Sequence, residues 1–403
     1  MLVDAEGRRF LDAEAANGTV ALGYDRTILA DAQALAAPLP ALPSFVESEL
    51  RLDAARALVQ WFRQALDAPG RVAFELGGAQ GIELALKIAR ANCQATAIAV
   101  FEGAYHGRSI FTSQLSSSAR YRRHGFNIAT PILRLPHPER AARFGGDPEQ
   151  STARALEFIE RTLSDDQCGA PEQWCALVVE PVLNVGGMTY PERSYLRGVV
   201  DAFRRRGALI IADEVFSGFY RTGTALGMLH YGIVPDIVVT SKGLSNGLVP
   251  VSCVWARDPL LSAECFPPGT HSVTYANNPL NMAVVLAVLQ RYARWTDIAS
   301  DVERLGQRLG AALARLRDRH DVVQSVEARG ATARLVLKQP VAGRVRILAR
   351  TIGERGSING HTGALVASTG MAPHVVALCP PLVFTEADVA DLEAILDAAF
   401  ARL

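Results

Sequence analysis

Short apolar runs alternate with stretches of helical spacing through the middle of the chain. "RVAFEL" (71–76) reads as a strand and runs into the helical pattern "AQGIELALKIARAN" (79–92). "AIAVFEG" (97–103) and "CALVVEPV" (175–182) read as two more strands. "YLRGVVDAFRRRG" (195–207) is an amphipathic helix ended by glycine. "ALIIADEV" (208–215), "DIVVTSKG" (236–243) and "VSCVWAR" (251–257) continue the series of strands. Runs apolar on both faces, separated by helices, predict a mostly parallel sheet covered by helices. A long helix is predicted over "NPLNMAVVLAVLQRYARW" (278–295).

The ends of the chain read differently. The first forty or so residues are predicted to be short strand and turn pieces. Beyond the long helix, 301–320 is helical and "TARLVLK" (332–338) is a strand. Thr385 is placed to cap a final helix. Prolines and paired glycines in 134–171 predict a loop-rich segment. At 403 residues the chain exceeds what one core usually supports. The expected division is a large domain over 45–290 and a smaller α+β domain from 1–44 and 291–403. The fold class is α/β.

Charge and cysteine content narrow the function. Lys plus Arg and Asp plus Glu number 41 each, so no general electrostatic pull toward nucleic acid or acidic membrane is expected. No apolar run reaches the roughly 18 residues of a membrane span. The start, "MLVDAEGRRFLD", lacks an apolar signal region. Six scattered cysteines (93, 168, 175, 253, 265, 379) have neither metal-type spacing nor disulfide-framework density. A cytoplasmic protein without metal is expected.

Four pieces carry chemistry. In "FELGGAQGIELALKIAR" (74–90) a strand meets a helix through Gly77-Gly78, where free amides form an anion site; a plain tight turn is the alternative. In "FEGAYHGRS" (101–109), Tyr105 and His106 lie in a glycine-bounded loop that can offer an aromatic face to a flat ligand; a packed aromatic is the alternative. Asp213 and Glu214 end a strongly apolar strand, where a carboxylate needs a partner. A protonated ring nitrogen or a structural ion pair would supply it, and no arginine flanks the strand end before Arg221. Lys242 ends "DIVVTSK"; it is either a turn residue or a poorly solvated amine able to form a Schiff base with an aldehyde. An amine, a carboxylate, an aromatic face and an anion cradle match pyridoxal 5'-phosphate: aldehyde, pyridine nitrogen, ring and phosphate.

At these residues the chain resembles the class III aminotransferases, pyridoxal-phosphate enzymes of fold type I. The likeness runs from "GRRFLDAEAANGTVALGYD" to "CPPLVFTEADV" and is most specific at "ADEVFSGFYRTG" followed by "TSKG"; "YHGRS" and "THSVTYANNPL" add to it. By that resemblance Lys242 is the Schiff-base lysine, Asp213 holds the pyridine nitrogen and Tyr105 stacks on the ring. The amides of Gly78 and Ala79 would hold the phosphate, and Thr274 would reach the phosphate of the neighbouring protomer in a homodimer with shared sites. His106, Val215 and Phe216 complete the expected cofactor shell.

The chain departs from the family pattern on the substrate side. The phosphate turn reads Gly77-Gly78-Ala79-Gln80 and lacks the usual hydroxyl. Phe216 replaces a common glutamine. Leu183 and Val185 in "EPVLNVGG" replace polar residues, and Ala377 in "VVALCPPL" replaces a carboxylate-binding arginine. Arg108 or Arg221 is left to meet a carboxylate, with a structural role as the alternative for Arg108. The expected activity is amino transfer between a small-molecule amine or amino acid and a keto acid, aldehyde or ketone, with an ω-amine donor favoured. An aminomutase, racemase or decarboxylase on the same scaffold is one alternative; a cofactor-binding protein without turnover is another.

Overall fold

The computed structural model describes residues 1–43, 45–122, 130–137, 147–276, 278–352, 357–369 and 371–403. In chain order its strands are β1 Leu2–Val3, β2 Arg9–Asp12, β3 Gly70–Glu75, β4 Ile98–Phe101, β5 Ile132–Leu135, β6 Ala176–Val179, β7 Leu209–Asp213, β8 Ile237–Thr240, β9 Ser252–Arg257, β10 Val323–Arg329, β11 Thr332–Leu337, β12 Gly363–Leu365, β13 Ala367–Thr369 and β14 Ala372–Leu378.

Seven of these strands form one sheet in the order β3-β9-β8-β7-β6-β4-β5. The five from β8 to β5 run parallel, while β9 lies antiparallel to both β8 and β3. All four residues of β4, β6 and β8 are buried. Their side chains alternate between two cores. Val100, Val178, Ile211 and Val239 pack with Ile82, Leu86 and Ile88 of the helix Gly78–Ala91. Phe101, Val179, Ile210 and Val238 pack on the other side with Phe62 and Val199. Apolar residues on both faces are what a sheet covered by helices on both sides demands.

Two smaller sheets complete the fold. One is the antiparallel β10-β11-β14-β13; the other is β1-β2-β12, in which β12 from the C-terminal part runs parallel to β2. No helix among the described residues is long and apolar enough to cross a membrane.

Two expectations need correction. Within 134–171 a 17-residue helix, Pro148–Ser164, stands where loop was expected. Its proline occupies the first helical turn, where no N–H is missed, and the Asp147 side chain accepts from the Gln150 N–H to cap it. Residues 138–146 of that segment lie outside the described residues. The first forty residues include a helix, Thr27–Ala36, rather than only strand and turn pieces. An 18-residue helix, Glu49–Leu66, precedes the first strand of the large sheet.

Candidate active site

The parallel strands bring their C-terminal ends to one side of the sheet, and β4, β6, β7 and β8 each lead to a polar group there. Lys242 follows β8. It sits at φ +45°, a left-handed conformation that costs a side-chain-bearing residue energy. Its Nζ donates to the Asn17 carbonyl at 3.0 Å and lies 5.0 Å from the centre of the Phe216 ring. The side chain is half-buried. Desolvation lowers its pKa below the usual lysine range and Arg221 adds to that, against the opposing pull of Cys379, Asp213 and Glu180. The amine is therefore easier to deprotonate than a surface lysine.

Asp213 closes β7 and is 6% exposed. His106 provides the partner that no arginine supplies: its Nδ1 stands 2.8 Å from Asp213 Oδ2. The Val215 N–H donates to Asp213 Oδ1 at 3.2 Å. On His106, burial is the largest influence and pushes the imidazole pKa down. The hydrogen bond and charge of Asp213, with Glu180, outweigh it and leave the pKa raised. Glu214 turns the opposite way. It accepts from Ser217 Oγ at 2.6 Å and from the Gly227 and Met228 amides at 2.8 Å each, capping the 3₁₀ turn Gly227–Tyr231. The two adjacent carboxylates thus serve different tasks, one facing the site and one fixing a turn.

The helix Gly78–Ala91 starts without a side-chain cap, leaving first-turn amides for an anion. Space there admits only small residues. A Cβ on Gly78 would stand 3.0 Å from Val215, and one on Gly107 would stand 2.5 Å from Ala79 Cβ. Beside this turn, the Tyr105 N–H donates to Glu180 Oε1 at 2.7 Å. The Tyr105 and Tyr121 rings meet edge to face at 5.6 Å, and the exposed Arg108 lies over them, 5.7 and 4.7 Å from their centres.

The other expected residues have different surroundings. Thr274 is exposed, just before the helix Pro279–Arg294. Val185 is half-buried in a turn. Ala377, in β14, is fully buried in an apolar cluster with Phe216, Val182, Met188, Tyr190 and Cys379. Arg221 is buried and donates to the carbonyls of Gly18, Ala331, Cys379 and Pro380. That guanidinium is a clamp joining three backbone segments.

Two contributors escape a reading of the sequence. Glu180, 6% exposed, ends β6 in "VVEP" as Asp213 ends β7 in "IADE", so a carboxylate after a buried strand was the available signal. Asn17 belongs to a run, Ala15-Ala16-Asn17-Gly18, in which all four φ values lie between +47° and +76°. Only its glycine hints at this.

The donor set fits pyridoxal 5'-phosphate. Uncapped amides suit a phosphate, a buried carboxylate suits a protonated ring nitrogen, and a desolvated amine suits an aldehyde. Comparison with known proteins agrees. The family model for Aminotransferase class-III matches residues 1–400. The acetylornithine aminotransferase of Mycolicibacterium smegmatis is 31% identical over 412 residues, covering 99% of this chain and 92% of its own. Aminotransferase PigE of a Serratia species is 28% identical over 368 residues; the match covers 90% of this chain but only 40% of PigE. Among solved structures, an amine transaminase from an uncultivated Pseudomonas species in its PLP-bound form superposes with a TM-score of 0.86 at 27% identity, over 99% of this chain and 92% of that one. An (S)-enantioselective omega-transaminase from Thermomicrobium roseum gives 0.85 at 28% identity, over 99% and 90%. The chain therefore belongs to the class-III aminotransferases, with pyridoxal 5'-phosphate as cofactor and amino-group transfer as its chemistry.

Proposed function

We propose that the amino donor is an amine or ω-amino compound and not a dicarboxylic α-amino acid held at residue 377. The observation that carries this reading is the apolar packing of Ala377 against Phe216, Met188 and Tyr190. A bidentate arginine is the strong way to hold a carboxylate. Arg221 is committed to four carbonyls. Arg334, opposite Ala377 in the β11–β14 register, is committed to Glu327 at 2.6 Å and Thr189 at 3.1 Å. Apolar walls favour a donor carrying alkyl or ring substituents. Arg108 is assigned to the carboxylate of the keto-acid acceptor.

When bound, pyridoxal 5'-phosphate supplies an aldehyde that takes up the amino group and a ring that withdraws electrons. The amides of Gly78 and Ala79 would hold the phosphate, and Tyr105 and Val215 would enclose the ring. Asp213 would keep a proton on the ring nitrogen, and His106 holds Asp213 in place. Lys242 Nζ would act as the base that takes the proton from the carbon bearing the donor's nitrogen, and as the acid that carries that proton onward. Its lowered pKa supports the base role. Phe216 and Val185 line the substrate side and limit water there.

The exposure of Thr274 supports a homodimer in which this residue completes the neighbour's phosphate site. The reading includes a cytoplasmic enzyme with a large domain over 45–290 and a small one from 1–44 and 291–403. Half-reaction kinetics across α-amino acids, ω-amino acids and carboxylate-free amines test the donor class, followed by the cofactor's absorbance change. If glutamate is far the best donor and carboxylate-free amines are inert, this reading of Ala377 is wrong.

A further inference from the structure

Three buried acid–base groups reach the site from three neighbouring strand ends. Glu180 follows β6, Asp213 ends β7 and His106 lies in the loop after β4; their exposures are 6%, 6% and 2%. The backbone of the Tyr105–His106 loop ties them together. Glu180 Oε1 accepts from the Tyr105 amide at 2.7 Å, the next residue is His106, and His106 Nδ1 meets Asp213 Oδ2 at 2.8 Å. The far nitrogen of that ring, His106 Nε2, is buried and has no hydrogen-bond partner among the described residues. The amino-transfer roles assigned above leave Glu180 without a task.

We propose that Glu180 is a positioning residue whose charge, carried beside His106 and Asp213, sets how firmly the site holds the cofactor's protonated ring nitrogen. The inference rests on the cofactor's identity and is independent of the donor class.

Charge counting supports it. Two carboxylates flank one imidazole, so only one of them can be neutralised by it. Burial, the largest influence, pushes the Glu180 pKa up to about 8. The groups acting on it come from every neighbouring strand end. His106, the Tyr105 amide and Lys242 pull it down, while Asp213 pushes it up. Below that pH the Glu180 carboxyl is neutral and its oxygen still fixes the Tyr105 loop. Above it, a second negative charge joins Asp213 in a poorly solvated place. There charges interact far more strongly than in water. The added charge favours a cation on the ring nitrogen.

Glutamine separates the two effects, because it keeps an acceptor for the Tyr105 amide and never ionises. The dissociation constant of pyridoxal 5'-phosphate is measured for wild type and Glu180→Gln at about pH 6.5 and about pH 9.5. The expected ratio of variant to wild type is near one at the lower pH and about tenfold at the higher. A ratio that is the same at both values, whether near one or large, overturns the proposal. Should the variant fold poorly, infrared difference spectra of a Glu214→Gln holoenzyme decide, because Glu214 is a second buried carboxyl that titrates between these two pH values. A protonated buried carboxyl band must be present at the lower pH and lost at the higher. A band unchanged between them, or absent from both, also overturns it.

Discussion

His106 Nδ1 stands 2.8 Å from Asp213 Oδ2, and neither side chain is more than 6% exposed. The ring fixes the carboxylate's rotation while leaving Oδ1 on the Val215 amide. Asp213→Asn removes the charge and is expected to lower the half-reaction rate by at least about 100-fold, the scale of one preorganised electrostatic partner. His106→Asn acts only through Asp213, so its loss should be smaller, about tenfold. Stopped-flow half-reactions compare the two. A rate loss in His106→Asn equal to that in Asp213→Asn would assign the ring a direct role.

Lys242→Ala should abolish turnover, a loss of at least about 10⁴-fold, because proton transfer and covalent attachment both depend on Nζ. The fold should persist. Replacing a left-handed lysine whose Nζ donates to the Asn17 carbonyl removes little packing. Melting curves and steady-state rates on one preparation check both halves. Near-normal turnover would move the catalytic base elsewhere.

Lys242 and Asp213 are legible in the sequence because each directly follows a buried strand, and a polar group there must face a site or find a partner. What stays hidden depends on strand order. Nothing local says that β6 lies between β4 and β7, so the approach of Glu180 to the Tyr105–His106 loop cannot be read. Asp213 and Glu214 look equivalent in "ADEV" until the turn at Gly227 shows where the second carboxylate goes. The helix Pro148–Ser164 is hidden by a proline that reads as a breaker but starts the helix. Ala15-Ala16-Asn17 gives no sign of left-handed backbone, since long-range bonds hold it there.

Those long-range bonds make a stability prediction. Arg221 grips the Gly18 carbonyl and Cys379 Sγ lies 3.0 Å from the Glu14 carbonyl, while locally Asp12 Oδ1 accepts from the Ala15 amide at 2.8 Å. Ala16, at φ +50°, is exposed and packs little. A left-handed L-residue costs about 1–2 kcal/mol, and the extra entropy of glycine returns about 0.5–1. Ala16→Gly should therefore stabilise the chain by about 0.5–1 kcal/mol, while Ala16→Val should destabilise it by more than about 1. Denaturant midpoints of the two variants give the answer; a less stable glycine variant would mean that the turn is not strained.

Glu214 makes a pH prediction. Burial, the foremost cause, raises its pKa from 4.5 to about 7, against Ser217 and two amides. The folded chain then binds more protons than the open chain between those values. Stability is full below about 4.5 and falls as pH rises to about 7, by at most ~1.4 kcal/mol per pH unit. Glu214→Gln loses a good acceptor for the Gly227 amide and should cost about 1–3 kcal/mol, but with a shallower slope in this window. Calorimetry from about pH 5 to about pH 8 measures both. A wild-type stability that climbs through the window would make Glu214 an ordinary ionised cap.

The acceptor's carboxylate sets the last prediction. Arg221 clamps backbone carbonyls and Arg334 is tied to Glu327 and Thr189, so neither can turn to a substrate without leaving buried acceptors unpaired. Arg108 is different. It is exposed, rests on the rings of Tyr105 and Tyr121, and its pKa is raised foremost by the charge interaction with Tyr105. Its partners are tyrosine hydroxyls at the surface, which water can replace when the guanidinium turns to a carboxylate. Arg108→Ala should therefore raise the keto-acid KM at least about tenfold, the scale of one charged hydrogen bond. The half-reaction with a carboxylate-free amine should change by less than about twofold, because that donor offers nothing for the guanidinium to hold. Arg108→Lys should restore only part of the loss, since an ammonium lacks the planar fork. Equal losses in both half-reactions would show that Arg108 supports the Tyr105 ring and leave the acceptor's carboxylate to be met by another group.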